Sequence, residues 1–308
     1  MQLPPPIRRA IEERADAIGF PALKRAAAAL SDAYREGRAA RLNKDDIIAA
    51  YLVTRMPATY TAAYKVLSEL RDLPITSILD IGAGTGAAAL AAHAHFPDAS
   101  PVTLLERDPY LAEVALQFVP RATALHADLA HMPAMPPHDL VIAAWSLGEL
   151  SAPIAVKLWE ATRVALVIIE PGTPRGAATI RAIREQLLAA GAHMAAPCPA
   201  EMPCPLADPD WCHFAARVER SSLHRRIKEG ALGYEDEKYS YVALVRDPVP
   251  LDAARVLRHP RHHPGLIELE LCTPRGLEHR RVTKRDRDAF RAARKVEWGE
   301  KLDHSDGA

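Results

Sequence analysis

No uncharged apolar run in this chain reaches the ~20 residues that a membrane-spanning helix needs, so no membrane partner is expected. Nor is there any net charge. The 39 lysines and arginines stand against 39 aspartates and glutamates, so attraction to nucleic acid has to come from local clusters. The opening residues, Met1-Gln2-Leu3-Pro4-Pro5-Pro6-Ile7-Arg8-Arg9, lack the apolar h-region and cleavage pattern of a secretory signal, and a cytoplasmic location is expected. Cysteine is scarce. Four cysteines in a cytosolic chain point to metal binding or catalysis rather than to disulfides. The rest of the composition, 49% hydrophobic and 25% charged, is that of a globular protein, and 308 residues suffice for about two domains or one elaborated α/β domain.

The most informative stretch is Ile78-Leu79-Asp80-Ile81-Gly82-Ala83-Gly84-Thr85-Gly86, followed by an alanine run. A short apolar run, three alternate glycines and a strong helix former make strand, tight turn and helix in sequence, the geometry of a nucleotide site. Val102 to Glu106 reads as a second strand ending in an acid. Glu106 lies 20 residues past Gly86, where a ribose-binding carboxylate belongs. Gly82, Gly84 and Ala87 meet the dinucleotide pattern G-x-G-x-x-A, so NAD is one candidate. Asp80-x-Gly82-x-Gly84-x-Gly86 resembles motif I of S-adenosylmethionine (SAM)-dependent methyltransferases, and SAM is the favoured ligand. A nucleotide fold that has lost its ligand is the plain alternative.

Before this stretch, residues 4–72 carry helical stripes: Ile7, Ile11 and Ile18, then Leu23, Ala26, Ala27, Leu30 and Tyr34. Asn43-Lys44-Asp45-Asp46 is a plausible cap, and Pro57 breaks the helix that follows. Arg55 to Tyr60 is read either as a helix–helix corner or as a segment folding over the cofactor. Strands are expected near 77–81, 102–106, 122–126, 139–144 and 164–169, with helices near 87–95, 109–117, 152–162 and 176–190. This alternation implies a doubly wound parallel sheet, whose ligands bind beyond the strand carboxyl ends. Candidates there are Asp80, Glu106, Asp128, the segment Ala144 to Glu149, and Glu170-Pro171-Gly172-Thr173. Further strands are expected near 213–219, 238–246, 254–258 and 266–272, and a charged helix near 283–297. The expected fold class is therefore α/β, a Rossmann-like class I SAM-methyltransferase sheet (73–194). An N-terminal helical region (1–72) precedes it, a cysteine-containing β/basic-helix extension (195–302) follows, and a tail (303–308) ends the chain.

Cys198, Cys204 and Cys212 lie within 15 residues in a Pro-rich segment too poor in apolar periodicity to fold alone, and Cys272 sits on an apolar strand. A bound metal would order such a segment. Four thiolates suit tetrahedral zinc and an iron–sulfur cluster alike, and His213 could replace one of them at zinc. Neither a C-x-x-C pair nor a ferredoxin run is present. Cys272 alone would pass for a core residue.

Arg55-Met56-Pro57-Ala58-Thr59-Tyr60, Leu79 to Gly86, Ile169 to Pro174, Cys198-Pro199…Cys204-Pro205-Leu206…Asp210-Trp211-Cys212-His213, Gly233 to Tyr241, Leu271 to Pro274 and Val282 to Asp286 recur together elsewhere. In these stretches, from about residue 45 to 299, the chain resembles the methyltransferase-like family of mitochondrial small-ribosomal-subunit assembly proteins and their bacterial homologues. The resemblance implies a [4Fe–4S] cluster on Cys198, Cys204, Cys212 and Cys272, and action on small-subunit rRNA during ribosome assembly. Asp128, in Ala127-Asp128-Leu129, sits where methyltransferases of this fold place an acid or amide near the adenine amine; taken alone it reads as a helix cap or a solvated loop acid.

Arg275, Arg280, Arg281, Lys284, Arg285, Arg287, Arg291, Arg294 and Lys295 form a basic cluster suited to phosphate. Arg217, Arg220, Arg225, Arg226 and Lys228 form a smaller one. A solvated helix with i,i+4 ion pairs is the structural alternative. No zinc-finger, RRM or KH signature is present, so rRNA would be recognised by shape and backbone. The chain also lacks the Asn/Asp-Pro-Pro-aromatic motif of amine methylases, having Ala144-Trp145-Ser146-Leu147 instead. It has no cysteine nucleophile near the fourth or fifth strand. Trp145, to stack on a base, and Glu149, to accept a proton, are the weak catalytic candidates. A SAM-dependent rRNA methyltransferase, a non-catalytic assembly factor and a zinc-stabilised methyltransferase of another substrate are the readings carried forward.

Overall fold

A computed structural model of the chain describes residues 1–36, 44–129, 134–148, 151–251 and 253–303. Asn43, Glu149 and the tail beyond residue 303 lie outside the described residues, as does the side chain of Tyr34. In chain order the elements are α1 (Pro5–Ile18), α2 (Phe20–Glu36), α3 (Lys44–Thr54), α4 (Met56–Leu67), β1 (Ile78–Ile81), α5 (Ala87–His95), β2 (Val102–Leu105), α6 (Pro109–Phe118) and β3 (Ala122–Leu125). Then come β4 (His138–Ala144), α7 (Ser151–Glu160), β5 (Thr162–Pro171), α8 (Pro174–Ala189), β6 (His193–Ala196), β7 (Phe214–Glu219), α9 (Ser222–Lys228) and β8 (Tyr234–Val245). The chain closes with β9 (Ala253–Val256), β10 (Arg261–His263), β11 (Leu266–Thr273), β12 (Gly276–Thr283), α10 (Arg287–Ala293) and β13 (Lys301–Asp303).

The described chain forms two compact units. The first comprises Met1–Ser68, Ile78–His131 and Ala216–Glu237, and the second comprises Glu69–Ser77, Met132–Ala215 and Lys238–Ala308. In the first unit the four N-terminal helices bury Ile11, Leu23, Leu52, Met56 and Leu67. Prolines open α1 and α4, where a missing N–H costs nothing. Arg55 to Tyr60 is the junction between α3 and α4, the helix–helix corner of the two readings: the Arg55 N–H donates to the Tyr51 carbonyl at 2.7 Å. The Arg55 guanidinium grips Glu237 at 3.1 and 3.3 Å. Strands β1, β2 and β3 pair in parallel, with Ile78 opposite Val102 and Val102 opposite Ala122. All four residues of β1 are buried, as befits a parallel strand covered on both faces.

In the second unit β4 and β5 pair in parallel across α7, and β8 runs antiparallel to both β5 and β6. A separate antiparallel sheet runs in the order β10-β11-β9-β13, with β12 on β11. One face of that sheet packs Ala254, Val256, Ile267, Leu269, Leu271 and Val282 against α10. This is the Rossmann-like α/β class that the alternation predicted. Three details differ. The charged helix expected near 283–297 is shortened to α10, which starts after its cap Asp286. Gly276 to Thr283, not expected as a strand, alternates as one and pairs along the whole of β11. Helix α9 and strands β6, β10 and β13 were not expected, being only 3–7 residues long and too short for a periodic signal.

The turn from β5 into α8 depends on two glycines. A Cβ on Gly172 would lie 2.7 Å from the backbone of Lys238 and Tyr239, and one on Gly176 would lie 2.0 Å from the Pro171 carbonyl oxygen. Neither obstacle is a movable side chain. Gly176→Ala should destabilise the protein by roughly 1–3 kcal/mol, as overpacking does. Thermal unfolding checks this, and an unchanged midpoint would contradict the packing described.

Candidate functional site

The loop between β1 and α5 contains three left-handed residues: Gly82, Gly84 and Gly86, with φ of +65°, +54° and +77°. Side chains rarely adopt that conformation, which is why glycine recurs there. The three are not equivalent. The N–H groups of Gly82 and Ala83 donate to the Leu105 carbonyl at 2.8 and 3.1 Å, fixing the loop to the end of β2. A Cβ on Gly86 would lie 2.7 Å from the Val119 side chain, so Gly86 is needed for packing against the end of α6. Nothing lies within 4 Å of a Cβ on Gly84, and this glycine faces open space.

Two buried carboxylates frame the loop. Glu106 accepts from the Gly84 N–H through one oxygen and from the Asp108 N–H through the other, both at 2.9 Å. It therefore ties together the loops that follow β1 and β2. Asp80 is 1% exposed and accepts from the Ala89 N–H, in the first turn of α5, at 2.9 Å. Burial, with repulsion from Glu106 added, pushes its carboxyl up to about 7 against the single backbone hydrogen bond. Asp128 is exposed in the loop after β3. The structure thus brings together Asp80, Gly82, Gly84, Gly86 and Glu106, and leaves Asp128 at the surface.

In the second unit, Trp145 follows β4 at φ +54°, an unusual conformation for a bulky residue, and its backbone N–H donates to Ile169 at 2.8 Å. Its indole Nε1 and the Ser146 Oγ are buried without a hydrogen-bond partner. At the end of β5, Glu170 is buried, accepts from the Leu147 N–H at 3.3 Å and is pushed by burial up to about 7. Glu149 lies outside the described residues. The acid that the structure places beside Trp145 is therefore Glu170, which the sequence marks only by its position at a strand end.

The cysteine site is built by strand alternation. On β11, Leu271 faces the apolar core, so Cys272 points to the other side. Cys272 pairs in register with Arg255, which stands between the buried Ala254 and Val256 and faces the same way. Cys272 is thus not a core residue of its sheet. The loop between β6 and β7 brings Cys198, Cys204 and Cys212 to the same place. All four cysteines, with Arg184, Arg255, Pro197 and Leu257, line one cavity of about 40 Å³. Burial raises the thiols of Cys198, Cys212 and Cys272, that of Cys272 up to about 12, and neighbouring thiols add to it.

His213 does not line this cavity. Its Nδ1 is bound to the Trp211 carbonyl at 3.1 Å, and its ring lies 5.1 Å from that of Trp211 and 5.0 Å from that of Trp298. It packs as an aromatic residue between two indoles and stands outside the thiol set that the sequence suggested it could join at zinc. Among the described residues, no three or more His, Cys, Asp or Glu side chains are placed to hold a single metal ion. The cavity wall carries four thiols, a ligand set that zinc and an iron–sulfur cluster both use, and two guanidiniums.

Sequence reasoning missed both arginines. Arg255 donates to the Pro197 carbonyl at 2.9 Å, to Gly299 at 2.8 Å and to Glu69 at 2.7 Å. Arg184 donates through Nη2 to the carbonyls of Ala200 at 3.1 Å and Met202 at 2.6 Å. Each pins the main chain of the cysteine loop. The signal was available for Arg184: on α8 it shares the buried stripe of Ala177, Ile180 and Leu187, where a cation has no ordinary reason to be.

The basic clusters are less open than their sequence suggests. Arg281 pairs with Glu268 at 3.5 Å, Arg280 with Glu278 at 2.6 Å and Arg291 with Asp288 at 3.2 Å. In the smaller group, Arg217 pairs with Asp236, and both Arg220 and Lys228 pair with Glu235. Arg275, Lys284, Arg285, Arg287, Arg294 and Lys295 are exposed.

The profile of a protein family described as mitochondrial small ribosomal subunit Rsm22 matches residues 45–303. The human protein named "Ribosome assembly protein METTL17, mitochondrial" is 27% identical over 303 residues, which cover 82% of this chain and 61% of that protein. "Rsm22-cox11 tandem protein 2, mitochondrial" of Schizosaccharomyces pombe is 25% identical over 333 residues, covering 84% of this chain and 43% of that protein. The chain spans less than two thirds of the length of either relative. Among solved structures, the magnesium protoporphyrin IX methyltransferase of Synechocystis PCC 6803, with bound SAH, matches with a TM-score of 0.40 and 15% identity over 70% of this chain and 94% of that one.

The raised carboxyl of Asp80 makes the ligand-free protein sensitive to pH. Between the ordinary aspartate range near 3.8 and its folded value of about 7, the folded state holds a proton that the unfolded chain releases. Asp80's contribution to stability is therefore complete at low pH and lost as pH rises through about 7. Urea unfolding at pH 5, 6, 7 and 8 should show this decline, and Asp80→Asn should flatten it. Equal slopes in the two proteins would show that Asp80 is already ionised at pH 5.

Proposed function

This chain belongs to the Rsm22 family, and on that premise we propose that it is a SAM-binding, methyltransferase-like ribosome assembly protein that carries a [4Fe–4S] cluster and acts on small-subunit rRNA. The observation that carries the proposal is the convergence of Cys198, Cys204, Cys212 and Cys272 on one cavity. Three come from a loop and one from a strand some 60 residues further on. Apolar packing alone gives no reason for a fold to collect four thiols there.

In this reading the four cysteines hold the cluster, and Arg184 and Arg255 offset the negative charge that deprotonated thiols bring. When bound, the cluster supplies a rigid link between the loop and β11. The donor site is the loop of Gly82, Gly84 and Gly86. Gly84 leaves room for the ligand, Glu106 at the end of β2 is the candidate partner for ribose hydroxyls, and Asp80 faces the methionine end. Asp80 has to ionise to balance a cationic donor, so binding strengthens as pH rises through 7. The exposed cations from Arg275 to Lys295 are the candidate contacts for rRNA phosphates.

A non-catalytic assembly role is the second reading. It is favoured by Trp145-Ser146-Leu147 standing where amine methylases carry Asn/Asp-Pro-Pro-aromatic, and by a buried Glu170 that burial keeps largely protonated below pH 7. Both readings require the donor pocket and the cysteine site, and they part on methyl transfer to isolated small-subunit rRNA.

Two experiments test the proposal. Protein purified without oxygen should be brown and hold about four iron and four sulfide per chain, as such a cluster requires. Cys204→Ser should lose the colour, and cells carrying it should accumulate immature small subunits. A colourless wild-type protein holding a single zinc would remove the cluster from the proposal. In calorimetry, wild type should bind SAM and not NAD, while Gly84→Leu should stay folded at a strain cost of about 1–2 kcal/mol and lose at least tenfold in affinity. Equal SAM affinity in the two proteins would place the donor elsewhere.

A further inference from the structure

Among the described residues lining the cysteine cavity, one buried side-chain nitrogen makes no well-aligned hydrogen bond, and it does not belong to Arg255. Arg184 is 4% exposed at mid-α8. Its Nη2 is used twice on loop carbonyls, yet its Nε is buried without a hydrogen-bond partner. Leaving a charged donor unpaired inside a protein costs free energy, and sites that retain one usually have a use for it. The guanidinium acts on the thiols: it lies within hydrogen-bonding reach of Cys198, and its charge favours the ionised form of both Cys198 and Cys272, against burial. Arg255 differs, because its Nε and both Nη atoms are already occupied by Pro197, Glu69 and Gly299.

We infer that Arg184 is a positioning and tuning residue of the sulfur site, with its unpaired Nε–H reserved for a sulfur atom of the bound group or for the Cys198 Sγ. The inference rests on the cluster reading above. The two arginines divide the work. Arg255 is a clamp, each of whose three nitrogens already donates to a protein oxygen. Arg184 is half clamp and half donor. Hydrogen bonds to cluster sulfurs stabilise the more negative, reduced state and so raise the reduction potential. Arg184 should therefore hold the potential higher than four thiolates in an apolar pocket would set it.

The test compares the full chain, purified without oxygen, as wild type, Arg184→Gln and Arg184→Lys. Iron per chain is measured first, then the midpoint potential by dye-mediated titration read by visible absorption and EPR. Arg184→Gln should keep its iron and titrate at a clearly more negative potential. Arg184→Lys, which keeps the charge but loses the planar donor fork, should fall between the two. Chemical reconstitution supplies the loaded form should a variant purify without iron. Identical midpoints in all three proteins overturn the inference. So does failure of both folded variants to load, since Arg184 would then be a clamp alone. A wild-type protein that neither contains nor accepts iron instead overturns the cluster reading, a result that iron analysis gives before any potential is measured.

Discussion

The second unit depends on a buried cation. Arg255 is 3% exposed and joins four segments far apart in sequence: Glu69 by an ion pair at 2.7 Å, Pro197 and Gly299 through their carbonyls, and β9 through its own backbone. Removing one partner of such a pair leaves an uncompensated charge, typically at a cost of about 3–5 kcal/mol. The geometry follows from alternation on β9, which sends Ala254 and Val256 into the sheet core and Arg255 to the opposite side. Cys272, in register with it on β11, is carried to the same side. One strand period therefore sets both the position of a cysteine and the residue that fixes the loop bringing the other three.

The nucleotide-type loop of the first unit follows a different logic. It is held almost entirely by backbone: Gly82 and Ala83 bond to Leu105, and Gly84 bonds to Glu106. Side chains enter as two acids set close enough to raise one of them.

Most of this was legible where the signal was local. The run Ile78 to Gly86, the helices from α5 to α8 and the acid ending β2 each follow from residues within one or two turns of one another. The cysteines were legible as a group because three of them interrupt a segment with no other pattern. What could not be read were facts of register. Nothing near Arg255 in sequence reveals that it opposes Cys272, and nothing near Glu69 reveals its partner 186 residues away. The partners of the basic run were hidden for the same reason. Residues 276–283 pair with β11, whose Glu268 meets Arg281, so part of the expected phosphate surface is spent within the sheet. His213 was misread through chemistry: histidine beside cysteine suggests a ligand, but two indoles enclose its ring.

The two arginines also bear on what holds the cysteine loop in shape. Segments that fold only around a metal leave their main chain unsatisfied until the metal arrives. Here the carbonyls of Pro197, Ala200 and Met202 already have guanidinium partners. The backbone around the first two cysteines is therefore assembled by the polypeptide itself. A group held by the four thiols, as proposed above, would therefore enter a loop that the chain has already ordered, and its loss need not unfold that loop.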